Sequence, residues 1–230
     1  MSDVDRGKAA AAHAAATLVE PGMIVGLGTG STASLMVQRL GERVRHEGLD
    51  FTGVATSTET AELARSLGIS LRDLDECDQL DLNIDGADEV DPAFRMIKGR
   101  GGALLREKLV SSASRRRITI IGPNKQVARL GLKMPIPVEV SPFGLRHVER
   151  RLQALGATTA VRRELDGSLY LTDGGHRIID VAFADPDEPE VLDAKLHSVV
   201  GVFETGLFLG LCDLLIVGHD DRVETITRDA

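Results

Sequence analysis

The chain has 230 residues, with 27 Lys and Arg against 35 Asp and Glu, a net charge of −8. This length allows one large domain or a medium domain with a small one, and the negative balance disfavours nucleic acid or an anionic membrane as a partner. Aromatics make up 3% of the chain and Trp is absent, which argues against a stacking platform for single strands and leaves the core to Ala, Val, Ile and Leu.

Ala9–Val19 reads as an amphipathic helix ended by Pro21-Gly22, and Asp3 and Asp5 stand where a signal peptide would be positive. Met23–Leu27 reads as a strand, followed by a Gly-rich turn and a helix from about Ser31. Phe51–Ala55 is a second strand with a helix over Thr58–Leu67 behind it. Leu80–Ile84 is a third, and Arg117–Ile121 a fourth after a helix that begins near Gly101. Such alternation predicts a mostly parallel sheet covered by helices on both faces.

The pattern changes at Pro135-Ile136-Pro137. Beyond it come a strand at Val138–Val140, a helix at Leu145–Leu155, strands near Thr158–Arg163, Leu169–Thr172 and Arg177–Val181, a helix at Pro189–His197 and an extended Val199–Phe203. Asp166-Gly167 and Asp173-Gly174 are hairpin-turn signals. The order suits a split β-α-β-β-α-β domain inserted in the first. Leu211–Val217 returns the chain to the first sheet. The predicted division is 1–130 with 206–230 as an α/β domain, and 131–205 as a small α+β domain.

No apolar run approaches the roughly 20 residues that span a bilayer. Cys77 and Cys212 form no CxxC and read as two reduced thiols, which points to the cytoplasm.

Four segments suit chemistry. Gly26-Leu27-Gly28-Thr29-Gly30-Ser31-Thr32 joins a strand to a helix, where free amides attract anions. Its glycine spacing fits no dinucleotide fingerprint, and it lacks a Walker lysine. A single phosphate or a sugar hydroxyl fits, and so does a purely structural turn. Ala55-Thr56-Ser57-Thr58-Glu59 is a similar turn in which Thr58 suits an N-cap.

Asp85-Gly86-Ala87-Asp88-Glu89 follows a strand end, where open α/β sheets bind ligands. Its carboxylates suit sugar hydroxyls, or a metal for which no His or Cys lies nearby; a solvated acidic turn is the alternative. The six His show no ligand spacing. Lys98-Gly99-Arg100-Gly101-Gly102 opens a helix and sets Glu107 about one and a half turns in. Leu104, Leu105 and Leu109 give Glu107 apolar neighbours, which favours proton exchange near neutral pH; a surface Glu between Arg106 and Lys108 is the alternative.

Together these segments resemble ribose-5-phosphate isomerase of the A type. The likeness runs through Gly28-Thr29-Gly30-Ser31-Thr32, Asp85-Gly86-Ala87-Asp88-Glu89, Met96-Ile97-Lys98-Gly99 and Arg106-Glu107-Lys108. It continues in Asn124-Lys125-Gln126-Val127 and Pro135-Ile136-Pro137-Val138-Glu139-Val140.

The resemblance implies a three-layer α/β/α Rossmann-like sheet with an inserted ferredoxin-like domain, in a homodimer or homotetramer. It implies interconversion of ribose 5-phosphate and ribulose 5-phosphate without metal or cofactor. Glu107 is then the proton acceptor, aided by Asp85, Asp88 and Lys98. Thr29, Gly30, Ser31, Thr32, Gly86, Ala87, Gly99, Arg100, Gly101 and Lys125 bind substrate, with Lys8 near the phosphate. Arg100 stands where the family often has Gly, and Gly122-Pro123-Asn124 departs from the family pattern before Lys125.

Two rivals come from other classes. A non-catalytic sugar-phosphate sensor would usually carry a DNA-binding helical segment, and a nucleotide-dependent oxidoreductase would need the other glycine spacing.

Overall fold

Leu214–Gly218 is buried along its whole length, as a strand covered on both faces must be. The computed structural model describes residues 3–220 and 222–228, so 1–2, 221 and 229–230 of the expected first domain lie outside the described residues. Two compact units emerge: Met1–Ala87 with Arg106–Gln126 and Gly210–Ala230, and Asp88–Leu105 with Val127–Leu209.

In chain order the first unit begins with α1 (Asp3–Ala16), β1 (Ile24–Leu27), α2 (Ser31–Glu47), β2 (Thr52–Ala55), α3 (Thr58–Ser66), β3 (Ser70–Leu71) and β4 (Leu80–Gly86). The second contributes β5 (Glu89–Val90) and β6 (Met96–Ile97), and the boundary falls within α4 (Leu104–Ser112). After β7 (Ser114–Ile121) come β8 (Ile136–Val140), α5 (Leu145–Gln153), β9 (Thr158–Val161), β10 (Arg177–Ala182), α6 (Pro189–His197), β11 (Val202–Thr205) and β12 (Leu207–Phe208). The chain then returns through β13 (Leu214–Gly218) and β14 (Val223–Thr227).

The first unit holds a seven-stranded sheet in the order β14-β13-β7-β4-β1-β2-β3, parallel except for β14. Val25 and Leu27 pack on one face with Ala11 and Ala15 of α1, Met36 and Leu40 of α2 and Ala64 of α3. Ile24 points the other way and packs near Val54, Leu80 and Val110 of α4. These are the three expected layers. Gly26 admits α4, since a Cβ there would lie 2.5 Å from Val110 Cγ1. Gly7 of α1 and Gly218 of β13 are packed so closely that a Cβ on either would overlap the other's carbonyl oxygen.

The strands following β1 run outward through β2 and β3, whereas β4 lies on its other flank. The carboxyl ends of β1 and β4, aligned at Leu27 and Ile84, therefore border a topological switch point.

In the second unit β8, β9, β10 and β11 form an antiparallel sheet ordered β11-β8-β10-β9. Val148 and Leu152 of α5 and Leu192 and Leu196 of α6 pack on Val138, Val140, Ile179 and Val181. This is the expected split β-α-β-β-α-β arrangement. A separate ribbon runs β12-β6-β5.

Several sequence expectations differ from the structure. Leu169–Thr172 forms no strand, only a bridge from Leu169 to Arg163, because the Asp166-Gly167 turn closes at once and leaves Leu169 and Leu171 exposed. Asp88–Leu105 groups with the inserted unit because β5 and β6 pair with β12 rather than with the large sheet. The helix expected from Gly101 begins at Leu104, since Gly99 and Gly102 hold φ of 100° and 83°, outside helical space.

Both cysteines carry free thiols; burial pushes Cys212 up to about 11 and makes it an inert core thiol. Asp213, just before β13, accepts from Arg117 N (2.8 Å), Nε (2.7 Å) and Nη2 (2.7 Å). Burial pushes this carboxyl up, but the Arg117 hydrogen bonds pull harder and leave it below the usual Asp value. A folded value below the unfolded one stabilises above about pH 3.9, and the gain is lost as pH falls through the folded value. Asp213→Asn should therefore cost about 1–2 kcal/mol near pH 7. Urea denaturation at decreasing pH should show the two proteins converging.

Candidate active site

The switch point is filled by groups the first unit itself supplies. After β1 the chain turns at Gly28, Thr29 and Gly30 and enters α2 at Ser31. Gly30, with φ of 98°, caps α2 without a side-chain bond, and the first turn of α2 has no acid. Its leading amides thus face no competing carboxylate from their own helix. Lys8 Nζ donates to Ser31 Oγ (3.2 Å), which brings a cation to this helix start.

Asp85, 3% exposed, is the last residue but one of β4, beside this loop. Its Oδ1 accepts from Gly86 N (2.7 Å) and Thr29 N (3.1 Å). Gly28 is required for that approach, because a Cβ there would lie 2.6 Å from Asp85 Cα and overlap its carboxylate.

The Thr29 hydroxyl is braced from a second turn. It lies 2.7 Å from Thr56 Oγ1, which donates to Leu27 O (3.0 Å), while Thr60 Oγ1 donates to Gly28 O (3.0 Å). Sequence reasoning picked out the turn that holds Thr56 but not Thr60, and it offered Thr58 as the cap of α3. The cap is Ser57, whose Oγ accepts from Thr60 N (3.1 Å). The Ser57-x-x-Thr60 spacing could have signalled it.

Glu107 is 4% exposed and lies in the first turn of α4 rather than one and a half turns in. Leu104, Glu107, Val110 and Ser111 share the buried face of α4. Leu109, expected among the apolar neighbours of Glu107, turns to solvent at 49% exposure because its position falls on the opposite face. Val110 packs against β1 at Gly26, so the register of α4 sets Glu107 one turn away along that same face. Lys125 is half-buried in the short turn Pro123–Lys125 that follows β7, with its N–H on Gly122 O (3.1 Å).

The second unit holds Asp88, Lys98, Gly99, Arg100 and Gly101. Asp88 N donates to Ile97 O (2.8 Å), and its Oδ2 accepts from Arg100 N (3.0 Å). Lys98 follows β6, is 4% exposed, and has its N–H on Gly206 O (2.9 Å) and its Nζ 5.4 Å from the Phe208 ring centroid. Arg100 and Gly101 are exposed; Gly86 and Ala87, in the first unit, are half-buried.

Among the described residues, Asp193, His197 and Glu204 bring metal-ligating atoms within 4.8 Å of one another. His197 already bonds Glu204 Oε1 through Nε2 (3.0 Å) and the Asp193 carbonyl through Nδ1 (3.0 Å), which accounts for the cluster as a hydrogen-bonded one.

An open α/β sheet with an amide-rich loop, a flanking lysine and buried carboxylates at its carboxyl edge is an arrangement suited to small anionic ligands. The family model for ribose 5-phosphate isomerase A (phosphoriboisomerase A) matches residues 52–222. A ribose-5-phosphate isomerase A from Thermomicrobium roseum is 50% identical over 97% of this chain and 94% of its own. The structure of ribose 5-phosphate isomerase A from Methanocaldococcus jannaschii superposes with a TM-score of 0.92 at 38% identity, covering 98% of this chain and 100% of that one. A D-ribose-5-phosphate isomerase in complex with phospho-erythronic acid gives a TM-score of 0.94 at 35% identity, covering 99% and 100%. The chain belongs to the ribose 5-phosphate isomerase A family and is an isomerase, as its motifs implied.

Proposed function

We infer that the chain interconverts D-ribose 5-phosphate and D-ribulose 5-phosphate, the aldose–ketose step of the non-oxidative pentose phosphate pathway. The observation that carries this reading is a deeply buried Glu107 on a helix anchored to β1, in a chain that belongs to this family throughout its length.

In the proposed reaction Glu107 takes the proton from C2 of the open-chain aldose. The C2–H electrons form the C1–C2 double bond, and the carbonyl electrons move to O1. Glu107 returns its proton to C1, O2 becomes the ketone oxygen, and the O2 proton passes to O1. Lys98 and the Gly101 N–H stabilise the enediolate charge. Asp85 and Asp88 orient hydroxyls and assist ring opening. Phosphate is held by the Thr29–Thr32 loop with Lys8 and Lys125, which fixes the carbon chain for proton transfer. The chemistry calls for no metal or cofactor.

The test is to incubate the protein with ribose 5-phosphate and EDTA and assay ribulose 5-phosphate. Absence of turnover overturns the isomerase reading, and turnover abolished by EDTA overturns its metal-free part. Lys8→Ala should weaken competitive inhibition by inorganic phosphate about tenfold, the loss of one charge-assisted hydrogen bond. Its kcat should change less than about twofold, since proton transfer is untouched.

We propose further that the protein works in the cytoplasm as a homodimer or homotetramer. No helix of the described residues is long and apolar enough to cross a membrane. Phe143 is 91% exposed and Val200 nearly as much, apolar surface that a second copy would cover. A monomeric mass by light scattering would overturn the oligomer.

A further inference from the structure

The Gly99–Gly101 loop carries three successive carbonyls, and side chains from the segment between β9 and β10 hold all three. Arg162 Nη1 donates to Gly99 O (2.8 Å) and to Arg100 O (3.0 Å). Tyr170 Oη donates to Gly101 O (3.1 Å). Arg162 is itself clamped by Asp180, with Nε on Oδ2 (3.0 Å) and Nη2 on Oδ1. Its guanidinium also lies over the Tyr170 ring, 5.9 Å from the centroid. Gly102 makes room for the tyrosine, since a Cβ there would overlap the phenol.

In a trans amide the N–H points opposite to the C=O, so fixing a carbonyl aims the following N–H. Two of the loop's amides are then spent inside the protein. Arg100 N–H goes to Asp88 Oδ2 (3.0 Å), and Gly102 N–H goes to Gly99 O (3.0 Å). Among the described residues, the Gly101 N–H meets no acceptor, and Gly101 is exposed. The clamp therefore presents one donor, from the amide whose carbonyl Arg162 holds.

We propose that Arg162, clamped by Asp180, and Tyr170 are positioning residues for the isomerisation. They fix the Gly99–Gly101 peptide planes so that the Gly101 N–H meets the developing enediolate charge. This rests on the isomerase reading above. In this proposal they act through the loop's backbone, whose carbonyls they hold. Because one guanidinium serves two carbonyls and a bidentate carboxylate, lysine does not replace it.

The test compares wild type, Arg162→Ala, Arg162→Lys and Tyr170→Phe, with circular dichroism and Tm as folding controls. Two inhibitors serve as probes: inorganic phosphate, and phospho-erythronic acid, whose carboxylate carries charge as an enediolate does. Arg162→Ala and Arg162→Lys should lower kcat about 30- to 100-fold, the scale of an ångström-level misplacement. Phospho-erythronic acid affinity should fall in parallel, while phosphate inhibition moves less than about twofold. Tyr170→Phe removes one hydroxyl and should lower kcat about 3- to 10-fold at unchanged Tm.

Wild-type kcat and phospho-erythronic acid affinity in folded Tyr170→Phe overturn the proposal, and so does phosphate inhibition that weakens in step with kcat. If the Arg162 variants fail to fold, Tyr170→Phe decides. No turnover by the wild type overturns the isomerase reading and this proposal together. Wild-type turnover with unaffected variants overturns this proposal alone.

Discussion

Glu107→Gln is expected to lower kcat by about 10²- to 10⁴-fold, the usual worth of a positioned general base. Glutamine keeps the size and planarity of the side chain, so the α4 face built on Leu104, Val110 and Ser111 stays packed. What it loses is the capacity to accept a proton. At about 1.36 kcal/mol per tenfold change in rate, the loss is roughly 3–5 kcal/mol of transition-state stabilisation. Inhibition by inorganic phosphate should stay within about twofold, because the Thr29–Thr32 loop is unaltered. Incubation in D₂O offers a second measurement, since the wild type should place deuterium on the substrate carbon and the variant should not. A near-normal kcat would remove Glu107 from the role.

The second large effect belongs to a residue that does no chemistry. Gly28→Ala would drive a methyl group to 2.6 Å from Asp85 Cα, and a backbone atom in a buried strand cannot yield. Either β4 shifts or the loop lifts, and both Asp85 bonds, to Thr29 N and to Gly86 N, are lost together. Overpacking of this kind costs about 1–3 kcal/mol in stability. The displaced loop should lower kcat/KM by about 10²-fold or more. Gly30→Ala is the informative contrast: a Cβ there meets nothing within 4 Å, and only its φ of 98° opposes the change. It should lose less activity and keep the Asp85 bonds. Equal losses in the two variants would show that backbone strain, not the Asp85 collision, governs the loop.

The large sheet was legible in the sequence because its strands are continuous apolar runs and each helix follows at once. The two-residue strands Glu89–Val90, Met96–Ile97 and Leu207–Phe208 were not. Two residues carry no periodicity, and the pairing of Leu207–Phe208 with Met96–Ile97 joins positions about a hundred residues apart. Val223–Thr227 escaped for another reason: it is an edge strand, largely exposed, with little apolar signal. The Gly-rich turn into α2 could be read from glycine spacing and strand–helix context. Glu107 is locally an ordinary helical acid and gained its case only beside the other motifs. Arg162, Tyr170 and Asp180 reach their partners through tertiary packing, which no local spacing encodes. Lys8 stood as a single lysine in a helix until the fold set it against Ser31.

The abutment of Gly7 and Gly218 bears on how this protein can change. Each glycine faces the other's carbonyl, and Gly218 also lies close to the Ala11 Cβ. A substitution at position 7 therefore has no second-site suppressor at 218, and the reverse holds as well. Lys8 is the next residue after Gly7, so with Lys8 in its proposed role a change at 218, far along the chain, would surface in a mutant screen as a phosphate-affinity defect. Its true origin would be a tilted N-terminal helix, and mapping such alleles by phenotype alone would assign a scaffold position to the binding site.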